Sequence, residues 1–119
     1  MTDEIVIFVT CPPAESDGIA STLVSEQLAA CVNIVSNVTS IYRWEGKVTR
    51  DREDLLIIKT EQNLWQTLKK RVCEIHPYEV PEIIKWSIND GYEPYLKWIA
   101  DSVDLAKNID SSSAGNVTK

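Results

Sequence analysis

The side chains that could do chemistry here are one histidine and three cysteines, Cys11, Cys31 and Cys73. His76 stands inside His76-Pro77-Tyr78-Glu79-Val80-Pro81-Glu82, with Cys73 three residues before it. On a helix those two side chains share a face, and thiolate with imidazole suits copper or zinc. The competing reading of His76 is a helix C-cap, a cationic imidazole against the negative end of the dipole. A tetrahedral site needs four ligands, and no second Cys/His pair exists. Any metal must therefore also recruit Cys11, carboxylates such as Glu79 and Glu82, water, or another subunit. Cys11 follows an apolar run at a strand-to-helix loop, where helix N-termini point donors; its alternative role is a small buried hydrophobe. Cys31 ends an apolar helical face and reads as core. A cysteine nucleophile would need an orienting group and an oxyanion site. With four glycines and no elbow motif, the chain does not read as an enzyme.

The aromatics Tyr42, Trp44, Trp86, Tyr92, Tyr95 and Trp98 are numerous for the length. They could line a pocket with Lys59, or serve as core and interface, since each buries a large area.

The elements that must position these residues follow from patterning. Ile5–Thr10 is a continuous β-branched run, the mark of a central strand covered on both faces, and Pro12-Pro13 stops it. Ser16 or Asp17 can cap a helix bearing Ile19, Ala20, Leu23, Val24, Leu28 and Cys31, ending near Ala30. Val32–Trp44 and Lys47–Thr60 are extended and joined by a tight turn at Glu45-Gly46, with a bulge or bend at Ser36-Asn37. Thr60 can cap a second helix, whose stripe is Leu64, Leu68, Val72 and Ile75 and which Pro77 ends. Val80–Ile88 is the last strand, Pro81 suiting an edge or a strand start, and a short helix spans Glu93–Val103. The order β-α-β-β-α-β predicts an α+β, ferredoxin-like domain over residues 1–109 with both helices on one face. Residues 110–119 form a polar tail expected to be disordered.

The hairpin is far longer than ordinary strands and still carries Ile41, Tyr42 and Trp44 at its far end. Open backbone edges with aromatics invite pairing with other chains, so the chain is expected to oligomerise. The loop after Cys11 has neither the Cys-x-x-Cys of a heavy-metal-associated domain nor the arginine of an acylphosphatase cradle.

Composition bounds the rest. At 119 residues and 44% hydrophobic composition, one domain with one core is expected. The formal net charge of −6, without a local basic patch, argues against nucleic acid. No stretch approaches a membrane span and no signal sequence is apparent. The cytoplasm and reduced thiols are the expectation.

Val9-Thr10-Cys11-Pro12, Leu28-Ala29-Ala30-Cys31-Val32-Asn33-Ile34, Thr39-Ser40-Ile41-Tyr42-Arg43-Trp44-Glu45-Gly46-Lys47, Ile58-Lys59-Thr60 and His76-Pro77-Tyr78-Glu79-Val80-Pro81-Glu82 together resemble the CutA divalent-cation-tolerance family, from about Ile5 to Val103. The resemblance implies a homotrimer whose long hairpins form intersubunit sheets, as in PII signal proteins. It also implies copper binding, with His76 and Cys11 at the family's donor positions. Three functions are expected from these readings. The first is a copper-binding trimer using His76, Cys11 and a carboxylate such as Glu79. The second is a PII-like sensor holding a small molecule between subunits with Lys59, Tyr42, Trp44 and Trp86. The third is a structural or anchoring trimer without ligand.

Overall fold

The computed structural model describes residues 2–104; the expected polar tail lies outside the described residues. Strand β1 (Glu4–Cys11), helix α1 (Pro13–Ser25), strands β2 (Cys31–Trp44) and β3 (Lys47–Glu61), a 3-10 turn (Gln62–Leu64), helix α2 (Trp65–Ile75), strand β4 (Ile83–Ser87) and helix α3 (Glu93–Ser102) follow in order. The four strands form one sheet in the order β2-β3-β1-β4, each neighbour antiparallel. This is an α+β domain with the β-α-β-β-α-β succession that the hydrophobic pattern predicts.

β1 is central because its β-branched residues fill the pleat between β3 and β4. Ile5, Ile7, Val9 and Cys11 are buried against Leu23, Leu28, Leu56, Ile58, Leu68 and Val72 in one core cluster. Each such side chain contributes roughly 1.5–3 kcal/mol of apolar burial. The alternate residues Val6 and Phe8 are only half-buried. The central position holds, but the strand is fully covered on one face only. The other face runs across Ile57, Phe8, Ile84 and Trp86, the last two 45% and 50% exposed. There Phe8 and Trp86 meet edge to face at 4.7 Å.

Several local expectations change. α1 starts at Pro13, whose missing N–H costs nothing in a first turn. Ser16 is no cap; its hydroxyl donates to the Asp54 carboxylate at 2.7 Å. α1 also ends at Ser25 rather than near Ala30. Leu28 N donates to Leu23 O and Gln27 N to Val24 O, both at 3.0 Å, with Gln27 left-handed at φ 61°. This closes a Schellman turn with glutamine where glycine is usual. Cys31 consequently begins β2 and is partly exposed, not part of a helical core face. Thr60 is not a helix cap but a buried residue donating to Leu28 O at 2.7 Å, and β4 begins at Ile83 rather than Val80.

The hairpin is as long as its sequence implies, with 14 residues in β2 and 15 in β3. Register slips between Val35 and Val38, where Asn37 takes φ 64°, so the bulge falls at the expected Ser36-Asn37. The turn has φ 49° at Glu45 and φ 78° at Gly46. Two left-handed residues make the primed turn whose twist matches the strands, and its first position favours Asn. Glu45→Asn should therefore raise stability by up to about 1 kcal/mol, the scale of the left-handed penalty that Asn largely escapes. Thermal unfolding of the two proteins side by side checks this; an unchanged or lower midpoint contradicts it.

Candidate functional site

The residues able to do chemistry gather where β1 ends. Pro77 forbids another helical residue before it, so His76 turns extended at the C-cap of α2. Its ring is buried. Nε2–H donates to Thr10 O at 2.8 Å, and Nδ1 accepts the Tyr78 N–H at 3.1 Å. Both nitrogens are thus engaged within the chain. Cys73, still on the helix, is exposed, so the thiol and imidazole do not share a face as the helical spacing suggested. The neighbour of His76 is the other cysteine's strand end, Thr10-Cys11.

Cys11 points into the core and pairs across the sheet with Asp54. Burial, then the negative potentials of Asp54, Glu53 and Glu15, pushes its thiol from 9.0 up to about 11. Beside it, Glu53 is buried and accepts the Tyr78 hydroxyl at 2.9 Å. Tyr42 donates likewise to Asp51. Burial, then Glu53, then Asp51 and Tyr42, raises the Tyr78 phenol well above its ordinary value, so these four side chains share one electrostatic patch. Thr10 Oγ1 reaches Glu82 Oε1 at 3.4 Å, while Glu79 is exposed. Among the described residues no group of three or more His, Cys, Asp and Glu is gathered tightly enough to hold a metal ion.

The four expected cleft residues split into two pairs. Lys59 and Trp86 both face Val6 across the sheet, and Lys59 donates to Asn33 Oδ1. Tyr42 lies opposite Thr49, ten residues along β3 from Lys59, or roughly 33 Å at the strand rise. Glu53 and Tyr78 escaped the sequence reading because Glu53 looked like one more charge on a solvated hairpin. Its period-two phase with Leu55 and Ile57 was the available signal.

Residues 5–102 match the family described as CutA1 divalent ion tolerance protein. The chain belongs to that family. The CutA divalent-cation tolerance protein of Thermus thermophilus is 48% identical over 100 residues, covering 83% of this chain and 97% of its own. The chloroplastic CutA of Arabidopsis thaliana is 48% identical over 99 residues, 82% of this chain. Only 54% of that plant protein is covered, so the chain spans about half the length of such relatives. Among solved structures, the Thermus thermophilus divalent cation tolerance protein superposes with TM-score 0.82 at 46% identity, covering 85% of this chain and 99% of its own. CutA1 from Oryza sativa gives 0.84 at 44% identity, covering 87% and 95%. The matched span includes every element from β1 to α3, so this CutA chain has the family's α+β fold. Among its described residues no helix is long and apolar enough to cross a membrane.

Two outcomes follow for this CutA site. Tyr78→Phe removes the hydroxyl that serves the buried Glu53, at a cost of about 1–3 kcal/mol for an orphaned buried acceptor. Denaturant titration measures it, and a loss within error would mean that Glu53 rehydrates. The folded chain also holds the Cys11 proton to higher pH than the unfolded chain does. That contribution to stability is complete below pH 9.0 and disappears as pH rises through about 11. Cys11→Ala should flatten the alkaline limb of the stability profile; an unchanged limb contradicts the assignment.

Proposed function

We propose that this CutA protein is a non-catalytic homotrimer of the cytoplasm that takes up divalent copper between its copies, with His76, Cys11 and Glu79 as donors. The observation that supports assembly is the half-covered sheet. The face without helices, which would be the inner face of the assembly, exposes Ile84 and Trp86, and β2 and β4 leave both edges unpaired. The strands alternate in direction, so β2 and β4 run oppositely, and edge-to-edge joining continues the antiparallel order. A β2-to-β4 contact is heterologous and forms a finite assembly only by closing into a ring; three copies is the closure the family resemblance implies.

Copper is supported by donor chemistry. Imidazole and thiolate outbind carboxylate-only sites for copper among first-row divalent ions. In the folded chain the imidazole must first release Tyr78 N–H, and the thiol must lose a proton that its surroundings hold tightly. Copper binding therefore requires the loop from His76 to Glu82 to open, and it releases protons.

Copper titration of wild type, His76→Ala, Cys11→Ser and Glu79→Ala tests the donor set. Each removal should weaken binding by more than the roughly 10–100-fold typical of an outer-sphere partner. Unchanged affinity in all three variants removes the proposed site.

A PII-like small-molecule site is the second reading. The row Cys31–Lys59–Val6–Trp86 across the inner face favours it, since it sets a cation and an indole side by side. Tyr42 and Trp44 could join that row only from another copy.

A further inference from the structure

Two adjacent carboxylates at the end of β1, Glu53 and Asp54, are 6% and 5% exposed. The ion pairs among the described residues are Arg71–Glu26, Arg71–Glu74 and Lys97–Asp101; none reaches this pair. Glu82 lies next to them through Thr10. Within the chain Glu53 accepts one hydroxyl, from Tyr78, and Asp54 one, from Ser16, but neither meets a cation, and a buried carboxylate is costly to hold charged without one; the described residues gather no metal-sized donor group there.

The hairpin carries the matching charge. Cross-strand pairing of Trp44 with Lys47, Tyr42 with Thr49, Ser40 with Asp51 and Val38 with Glu53 puts Lys47 and Glu53 on the same, inner face. Within one chain they are six residues apart, roughly 20 Å. Lys47 makes no ion pair with a described residue, whereas Arg43 donates to Gly46 O, Arg52 to Asn37 and Lys59 to Asn33. Arg50 is equally unengaged but lies in the opposite phase, beside Ile41.

We infer that Lys47 at the hairpin tip of one copy completes the carboxylate pocket of the next, pairing with Glu53 and Glu82. This rests on the edge-to-edge assembly proposed above. Antiparallel alignment of the outer half of β2 with the neighbour's β4 runs Val38 toward Ser87 and Trp44 toward Ile83. The tip then arrives at the Glu82 end of β4, beside Thr10, Tyr78 and Glu53. Trp44, on the same face as Lys47, covers the pair and keeps water from it.

Sedimentation of the full chain over a dilution series, with circular dichroism to confirm folding, tests this. Lys47→Glu should weaken association by about tenfold or more, the scale of one desolvated charge pair, while Arg50→Glu should change it far less. Adding Glu82→Lys to Lys47→Glu should restore association. A wild-type trimer that Lys47→Glu leaves intact, or that Arg50→Glu disrupts equally, overturns the Lys47 contact while the assembly stands. Dissociation by chelator without any effect of Lys47→Glu assigns the pocket to a metal instead and overturns it too. A folded wild-type monomer at micromolar concentration removes the assembly and this contact together.

Discussion

A four-stranded sheet whose helices cover one face must still dispose of the other, and this constraint shapes most of the molecule. α1 and α2 pack side by side over Ile5, Ile7, Val9, Leu56 and Ile58. The opposite phase of the same strands presents Val6, Phe8, Ile57, Ile84 and Trp86. A strand cannot make one face apolar and the other polar unless its sequence alternates, and β1 does not alternate. Ile-Val-Ile-Phe-Val is apolar in both phases, so the uncovered side is built for contact rather than for water.

The hairpin answers the same constraint from the edge. β2 and β3 pair on both sides of the bulge, up to a turn of two left-handed residues, so the projecting arm is a hydrogen-bonded ribbon rather than an irregular loop. The bulge at Asn37 marks the change from the part packed on the sheet to the part that projects. Beyond it the two faces diverge in charge: Arg43, Arg50 and Arg52 share one phase, while Asp51 and Glu53 share the other with a single cation, Lys47. A balanced count of charges along the arm therefore conceals two faces of opposite sign, which a linear scan for basic patches does not detect.

The sequence made the strands, the turn, the bulge and the α2 stripe legible because each follows from local rules: β-branching, a Glu-Gly turn and spacings of three and four. It hid what tertiary contact decides. α1 stops five residues early because backbone bonds to Leu23 and Val24 close around Gln27, a position where no glycine announces a cap. Thr60 has the identity of a helix cap, but β3 runs on past it and its hydroxyl is used by Leu28. For the site, His76-Pro77-Tyr78 was visible as a motif. Its ring bonds were not, because Thr10 is 66 residues away in sequence. Cys73 and His76 part company because Pro77 ends the helix at Ile75, which leaves Cys73 on the helix and His76 extended beyond it.

The chain's acidity sharpens the argument for an electrostatic contact between copies. With a formal net charge of −6 per chain, assembly multiplies like charge, and repulsion grows with each copy added. Apolar burial can offset this over the sheet face, where few charges lie. It cannot do so at the end of β1, where burial first, and the negative potentials of Glu53, Asp54 and Asp51 after it, hold Cys11 and Tyr78 in their neutral forms. Charge of one sign confined to a buried corner demands the opposite sign from whatever covers it. The same field disfavours deprotonation of Cys11 while attracting cations to the corner. In the proposed assembly a positively charged side chain and a divalent ion would compete for one place, and an ion entering there would displace the Lys47 that the neighbouring copy is inferred to supply.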